Sequence, residues 1–379
     1  MADLKTLTSA ITAFLDNPPL QISEAERVNL LGLIERLQSV VETPRDRIMT
    51  ISHSQFLPAM TRVAQGMGVF DAFLDSGSSG LSLSELSSKT KGDEKLLARL
   101  MRFLSAYDVF REAGTVIFSS IPLYKATPIA LTLAHGTAES AIFKHQAGFT
   151  PISASLNDYL ASTRYQNPTD AYNGPMQFAR RTTAHHFDWL ASNPEAQEAF
   201  NTTMAMLRVM SEPWFELYPV AEQLGLEQSL GDIGLERGKV RDDDRVLLVD
   251  VGGNKGDEIL AFRAAFPDVP GQLVMAHDMF DPQPVKNAKI YLLRRILLDW
   301  PDKEASQVLR NIREAMVPGS VVLIHDIVYP EHGQTGGGRG AREAADLDLV
   351  MMDCFSALIR TVGEWRAEVA LFEAVVGGE

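Results

Sequence analysis

The stretch "VLLVDVGGNKGDEIL", residues 246–260, decides the fold of this chain. Its apolar first half predicts a buried strand, which runs directly into glycines and then opens a helix. Glycines at such a turn let the backbone approach a ligand where Cβ atoms would clash, and Asp250 can anchor the turn. Many sheets have glycine at a turn, so this loop alone does not identify a ligand site, and the segments after it are needed to assign the fold.

Strands and helices alternate after this loop. "KIYLLRRILLDW" (289–300) and "SVVLIHDIVYP" (320–330) both contain apolar strand-like runs, and a helix is predicted between them around residues 303–316. Strands that alternate with helices indicate a parallel α/β sheet. The sequence therefore predicts a Rossmann-like domain over residues 241–379.

The first part of the chain is predicted to be mostly helical. "AERVNLLGLIERLQSVVE" (25–42) has apolar residues at three- and four-residue spacing, which predicts an amphipathic helix. Residues 82–120 predict a helix, a turn, a second helix and a short strand pair, which is a winged-helix pattern. Ser82 or Ser84 is the candidate cap of the first helix, and Asp93 is expected in the first turn of the second. We therefore predict a helical, winged-helix region over residues 1–130.

Charge argues against a DNA-binding role for that region. Residues 82–120 carry six Lys and Arg against five acids, so they form no basic stripe. The whole chain has 379 residues and a formal net charge of −14, which also disfavours nucleic-acid partners. No metal site is predicted.

Residues 131–240 are predicted to be a helical region that lines a substrate. Met204, in the run "FNTTMAMLRVM", fits either a flexible apolar pocket or ordinary core packing. The single cysteine, Cys354, excludes an intramolecular disulfide and fits a reducing compartment. We read no signal peptide and no transmembrane helix, so we expect a cytoplasmic protein without a membrane partner.

The order of the motifs resembles a known family. The glycine loop is followed by Asp278-Met279-Phe280, by "RRILLDWPD" (294–302) and by a strand that ends at Asp326. In this order they are similar to the plant and fungal small-molecule O-methyltransferases that use S-adenosylmethionine, and the likeness covers nearly the whole chain. The resemblance implies a class I methyltransferase domain, a small-molecule substrate and a homodimer that interlocks through residues 1–130.

The resemblance also implies which residues contact the cofactor. Asn254 stands where the family usually has glycine, but Asn tolerates left-handed backbone better than most residues. Arg294 matches a basic residue near the cofactor, and a surface ion pair is the alternative explanation for an arginine there. The implied cofactor contacts are Asp250, Gly252, Gly253 and Gly256 for the methionine and ribose, Asp278 and Met279 for adenine, and Arg294.

The positions that carry the methyl-transfer chemistry depart from the family pattern. The family has a histidine base before the Asp-Trp pair, and Leu298 occupies that position. Asp326 keeps the acid that orients the histidine, whereas Ile359 replaces a third acid. A general base contributes ~10²–10⁴-fold to a rate, so its loss should matter.

Two connections are shorter than in the family. Residues 271–280, "GQLVMAHDMF", leave out the longer connection that carries an acid for the cofactor ribose. Asp278 lies about 20 residues past the glycine loop, where dinucleotide-binding folds place a ribose acid, and one aspartate cannot easily fill both roles. Residues 364–376 likewise pass from a predicted helix to a final predicted strand without the intervening segment that the family has.

Three functions remain open at this point. The first is an enzyme that no longer methylates and acts as a pericyclase or dehydratase on a polyketide-type molecule, as methyltransferase-like pericyclases do. Its candidate catalytic residues are Asp299, Asp326 and His145, although a lone histidine such as His145 is also often structural. Leu298, Met204 and Ile359 would line its pocket. The second is ordinary O-methylation of an acidic phenol or enol, and the third is a non-catalytic dimer partner.

Overall fold

The computed structural model describes residues 4–19, 21–77, 79–115, 122–209, 211–220, 246–267, 275–330 and 339–367. By its internal contacts the chain divides into two compact units. One contains residues 1–54 and 332–343, and the other contains residues 55–331 and 344–379. The domain boundaries predicted at residues 130 and 240 stay predictions.

Three helices build the first unit: α1 (Leu4–Asp16), α2 (Glu24–Val41) and α3 (Pro44–His53). Ser23 with Glu26 and Thr43 with Asp46 form capping boxes, which fix where α2 and α3 begin. The helix predicted at 25–42 is confirmed as α2. None of its residues is buried, and Val40 and Val41 are 82% and 71% exposed.

The helix–turn–helix predicted over residues 82–120 and the first strand of the predicted pair are present. The second strand lies at residues 122–126, after residues 116–121, which are outside the described residues. Ser82 caps the first helix with Glu85, and Asp93 caps the second from one residue before its first turn. Three short strands form an antiparallel sheet in the order β1-β3-β2. The elements are α4 (Phe56–Gly66), α5 (Val69–Ala72), β1 (Leu81–Ser82), α6 (Leu83–Thr90), α7 (Glu94–Ala106), β2 (Phe110–Thr115) and β3 (Pro122–Ala126).

The core of this region comes from one face of α7. Leu97, Leu100, Met101 and Leu104 are all buried, at the three- and four-residue spacing of a helix stripe. The Phe110 ring stacks on Phe70 at 5.7 Å.

A run of helices follows, as predicted for residues 131–240, of which 210 and 221–240 lie outside the described residues. They are α8 (Pro128–Thr132), α9 (Ala138–Ala147), α10 (Thr150–Ser162), α11 (Pro175–Arg180), α12 (His186–Ala191), α13 (Pro194–Val209) and α14 (Trp214–Leu217). No helix in the part of the chain that the structure describes is long and apolar enough to cross a membrane.

The predicted parallel α/β sheet is confirmed. Three strands pair in the order β4-β5-β6, with Asp250 opposite Leu292 and Arg294 opposite His325. Because the strands are parallel, their carboxyl ends share one edge, which is where ligands bind in such sheets. The elements are β4 (Leu248–Asp250), α15 (Asp257–Ala265), β5 (Ile290–Arg294), a 3-10 turn (Leu297–Asp299), α16 (Asp302–Arg313), β6 (Val321–His325) and α17 (Arg339–Phe355).

Candidate functional site

The glycine loop turns sharply between β4 and α15. Gly252 and Gly256 have φ angles of 78° and 80°, a left-handed backbone that favours glycine. Asn254 has a φ of 49°, so it adopts the left-handed conformation expected of it. The Asn254 N–H donates to Gly252 O at 2.8 Å and the Gly256 N–H to Gly253 O at 2.7 Å. These bonds hold the loop in one shape before α15 begins.

The carboxyl group of Asp250 lies against the loop. A Cβ atom at Gly253 would overlap it, and one at Gly252 would lie 2.7 Å from Ile296 Cδ1. The Oδ2 atom of Asp250 is buried and has no hydrogen-bond partner among the described atoms. Burial, and then the nearby carboxylate of Glu258, raise the pKa of Asp250 to about 7, while Arg294 opposes the shift. An ammonium group bound at this oxygen would relieve the cost of burying it.

Arg294 is held in a buried ion pair rather than a surface one. Its guanidinium pairs with Glu258, in the first turn of α15, and both side chains are largely buried. It also donates to His325 Nδ1 at 3.3 Å and to the carbonyl of Glu212 at 3.2 Å. Arg294 therefore ties the ends of β5 and β6 to α15, beside Asp250.

Asp278 and Met279 lie in the connection before β5. Asp278 is exposed, and its Oδ1 accepts the Phe280 N–H at 3.0 Å. Met279 is partly buried against the apolar cluster that includes Val251, and its carbonyl accepts from Asn311 Nδ2 at 3.1 Å. The shortened connections predicted at 271–280 and 364–376 include residues 271–274 and 368–376, which lie outside the described residues.

Leu298, which we predict to stand at the position of the family base, has an apolar side chain. It is buried, 6% exposed, in a cluster that also contains Ile359, Cys354 and Met351. The two positions that we predict to depart from the family pattern, 298 and 359, are therefore packed in one apolar cluster.

Two carboxyl groups lie beside Leu298. Asp326 Oδ2 accepts the Leu298 N–H at 3.2 Å, and its buried Oδ1 has no hydrogen-bond partner among the described atoms. Burial raises the pKa of Asp326 to about 6, although backbone N–H donors from Leu298, Ile296 and Arg295 oppose the shift. Burial, and then Asp326, raise the pKa of Asp299 well above its ordinary value. Burial and the neighbouring Asp326 favour the neutral form of Asp299, whereas backbone N–H donors favour the charged form of Asp326.

Arg360 holds the segment that presents these groups, and sequence reasoning did not single it out. It is 2% exposed and donates to the carbonyls of Leu297 and Trp300 at 3.0 and 3.1 Å. It also bonds Asp302 Oδ1 at 2.6 Å. The signal was one arginine in "LIRT", but its partners lie about 60 residues away, which no local pattern reveals.

His145 lines a cavity of about 320 Å³ on helices α9 to α13. Burial lowers the pKa of His145 to about 4, and its ring meets Phe149 and Phe200 edge-on at 4.9 and 5.4 Å. Arg180, His186 and Trp189 also line this cavity, and sequence reasoning missed them. Met204 is partly buried on α13 and is not among the residues lining it.

Known proteins share both halves of the chain. Residues 49–136 match the model of the O-methyltransferase dimerisation domain, and residues 266–371 match that of the O-methyltransferase domain. The chain is 31% identical over 353 residues to a demethylsterigmatocystin 6-O-methyltransferase of Aspergillus parasiticus, covering 88% of this chain and 84% of that one. It is 28% identical over 393 residues to the O-methyltransferase mpaG of Penicillium brevicompactum, covering 96% and 91%.

Solved structures share the fold. LepI in complex with SAM has a TM-score of 0.74 and 26% identity, covering 98% of this chain and 94% of that one. A structure described as a pericyclic reaction enzyme has the same TM-score and identity, covering 97% and 94%. OxaC in complex with SAH and oxaline has a TM-score of 0.75 at 24% identity, covering 97% and 92%, and it supports the fold alone. The resemblance seen in the sequence is confirmed, and the chain belongs to the O-methyltransferase family.

Proposed function

We propose that this chain is an O-methyltransferase-fold enzyme of fungal secondary metabolism that does not methylate, and that it acts as a pericyclase or dehydratase on a polyketide-type small molecule. The observation that carries the proposal is the apolar packing of Leu298 with Ile359. Leucine cannot accept a proton, so this position cannot deprotonate a substrate hydroxyl. The acids beside it, Asp299 and Asp326, remain available for other chemistry.

The acid pair suits reactions that need a hydrogen-bond donor. A neutral Asp299 donates its proton in a hydrogen bond to a substrate carbonyl, which stabilises charge that develops there in a cycloaddition. No atom leaves in such a reaction, so no base is required. In a dehydration, Asp299 would protonate the leaving hydroxyl as the C–O bond breaks, and the Asp326 carboxylate would take the proton from carbon. In both reactions Asp299 is the donor, and Arg360 holds the backbone segment that carries it. The Arg360 guanidinium donates to the carbonyls of Leu297 and Trp300, on either side of Leu298 and Asp299.

The glycine loop fits the amino-acid end of S-adenosylmethionine. Asp250 offers an unpartnered buried oxygen for the ammonium, and Gly252 and Gly256 bring the backbone close. When bound, the cofactor supplies a sulfonium group with a positive charge and a transferable methyl. The residues of this chain do the rest: they bind the substrate, exclude water and hold the proton on Asp299.

The decisive experiment asks whether the methyl group is ever transferred. The purified protein is denatured, and the released small molecules are analysed by mass spectrometry for S-adenosylmethionine and S-adenosylhomocysteine. The protein is then incubated with extracts or candidate polyketides, with and without S-adenosylmethionine. We expect a product with the mass of the substrate, or of the substrate less water, and no gain of a methyl group. A product 14 mass units heavier would overturn the proposal.

O-methylation of an acidic phenol or enol is the second candidate. Relatives named as O-methyltransferases at 31% identity favour it, as does the retained glycine loop. A hydroxyl that ionises near neutral pH needs no base, so positioning alone would suffice. In that case methylated product would form, and its rate would rise with pH as the substrate hydroxyl ionises and then level off.

A homodimer is the proposed assembly. The match to the dimerisation domain supports it, and α2 leaves Val28, Leu33, Ile34 and Val40 exposed. Uncovered apolar surface of this kind marks an interaction site. We expect a dimer by light scattering at micromolar concentration, and Ile34→Glu to weaken it strongly. Ser39→Glu, on an exposed polar position of the same helix, is the control. A monomeric wild-type protein would contradict the proposal.

A further inference from the structure

The cavity on helices α9 to α13 is unusual in its charge. Three cations line it, Arg62, Lys144 and Arg180, against a single carboxylate, Glu195. Glu195 is already paired with Lys144. Arg62 Nη1 donates to Gln65 Oε1 at 2.7 Å. In a chain whose formal net charge is −14, this is a locally positive cavity.

Arg180 is held in place but keeps an unused donor. Its Nη2 donates to the carbonyl of Gly148 at 2.8 Å, and its guanidinium lies over the Trp189 ring at 3.9 Å from the centroid. Its Nε is buried and has no hydrogen-bond partner among the described atoms. No carboxylate of the described residues forms an ion pair with it. The Arg180 side chain is partly buried, and a cation that has lost part of its hydration without a counterion is costly, so a bound anion would offset that cost.

A second polar side chain, His186, lines the same cavity. His186 is 2% exposed, and its Nδ1 is buried without a hydrogen-bond partner among the described atoms. Burial, and then the neighbouring His185, His145 and Arg180, lower the pKa of His186 to about 3, so the imidazole is neutral and brings one N–H donor. Trp189 and Phe149 supply aromatic surface beside it. Fixed donors against aromatic walls are typical of sites for flat polar molecules.

We propose that this cavity is a subsite for an ionised oxygen of the substrate, an enolate or carboxylate on a flat conjugated ring, bound by Arg180 and His186. The subsite names the substrate class of the proposed function and rests on it for the reaction that follows binding. Arginine suits this role because its planar guanidinium presents N–H donors in the plane of an oxyanion.

The subsite adjoins the apolar cluster of Leu298. Phe149 and Trp189, which line the cavity, pack against the cluster that contains Leu298 and Cys354. Asp299 follows Leu298 directly in the chain. A substrate anchored by its anionic oxygen at Arg180 would be oriented for the donor at Asp299.

The test compares two probes that differ only in charge. 4-Hydroxy-6-methyl-2-pyrone is an acidic enol that is ionised at neutral pH, and its 4-methoxy ether is a neutral molecule of nearly the same shape. Binding of each is measured by calorimetry on the full-length protein without added S-adenosylmethionine. We expect the enolate to bind at least tenfold more tightly than the ether. Equal binding of the two probes by the wild-type protein would overturn the subsite.

Variants then locate the anion. Arg180→Gln and Arg180→Lys are expected to lose most of the tenfold preference, the lysine variant less, since it keeps the charge without the planar donors. Arg181→Gln removes the same charge from the next, exposed residue and should keep the preference. Melting temperatures verify that each variant is folded, and the comparison of probes on the wild-type protein needs no variant at all. Equal losses in the two glutamine variants would overturn the assignment to Arg180.

The same probes separate this inference from the proposed function. Methylation of the pyrone with added S-adenosylmethionine would overturn the non-methylating function, while a retained preference for the enolate would still support the subsite. If the protein shows no preference for the enolate and does not methylate the pyrone, the subsite is overturned and the non-methylating function is still supported.

Discussion

The glycine-loop side and the Leu298 side of the sheet edge have kept the family pattern to different degrees. On the first side, Asp250, Arg294 and three loop glycines match the predicted family pattern, with Asn254 in place of one glycine, and Arg294 also bonds Glu258 and His325. On the second side, Leu298 and Ile359 stand where we predict a base and an acid in the family, and they lie in one apolar cluster. From this difference we infer that a group which also bonds neighbouring strands and helices costs folding stability when it is replaced. A base that serves only the reaction can be exchanged for a packed leucine without that loss of stability.

The largest expected effect is at Asp299. Asp299→Asn keeps the size of the side chain but replaces the acidic O–H with an amide N–H, which donates more weakly and cannot protonate a leaving hydroxyl, so we expect the native reaction to slow by up to ~10²–10³-fold, the usual cost of losing one preorganised donor. The fold should be retained, because burial already disfavours the charged form of Asp299. Turnover and melting temperature are measured on the same preparation, together with the affinity for S-adenosylmethionine, which should not change.

Leu298→Ala is the matched control for that variant. It removes apolar packing at the adjacent position, so it should lower the melting temperature more than Asp299→Asn and the turnover less. If Asp299→Asn lowers stability without a separate loss of turnover, Asp299 has only a structural role in the 3-10 turn.

The next effect tests the other side. Asp250→Asn removes a carboxylate that the cofactor ammonium would need, and Gly252→Val adds a side chain where Ile296 already lies close. Both variants should lose measurable affinity for S-adenosylmethionine in calorimetry. Unchanged affinity in both would show that the loop does not bind the cofactor.

Asp250→Asn should weaken cofactor binding but increase the stability of the fold. Burial raises the pKa of Asp250 from 3.8 to about 7, so the folded state binds a proton that the unfolded state releases. The wild-type protein therefore loses stability as pH rises from about 4 to 7, by on the order of 2 kcal/mol from this group. Asp250→Asn should be more stable than the wild type at pH 8, and the gain should shrink at pH 4. Thermal melts at both values verify the sign.

The sequence predicted the sheet edge well and the cavity poorly, for a physical reason. The glycine loop and the strands ending at Asp250, Arg294 and Asp326 follow from local apolar runs and turn residues, so their order along the chain predicts where they meet. Arg180 and His186 lie on short helices without a distinctive pattern, and their role depends on an absence of partners in the folded state. Arg360 depends on carbonyls about 60 residues away.

A smaller effect concerns the buried histidines. Burial lowers the pKa values of His145 and His185 to about 4 and of His186 to about 3, from 6.5. Their stabilising contribution is complete above pH 6.5 and is lost as pH falls towards 4, because the unfolded chain binds the protons more readily. We expect a loss of ~1–2 kcal/mol per histidine at pH 5. His185→Phe, which can still stack on Trp300, should flatten the fall of melting temperature between pH 7 and 5. The exposed His277→Phe is the control, and equal slopes in both variants would contradict the prediction.

The smallest effect is expected from restoring the family base. Leu298→His places an imidazole in the apolar cluster around Ile359 and Met351, where an unpaired polar group costs ~1–3 kcal/mol. Asp326, which already accepts the backbone N–H of residue 298, is a nearby carboxyl that could orient it, but Ile359 stands where we predict the third acid. We therefore expect a slightly lower melting temperature, unchanged or reduced turnover of the native substrate, and no methylated product by mass spectrometry. Leu298→Met, which conserves volume, separates the effect of polarity from that of shape. Strong methyl transfer by Leu298→His on the native substrate would instead show that this side of the site lost only its base, and that the chain is a methyltransferase one residue away from activity.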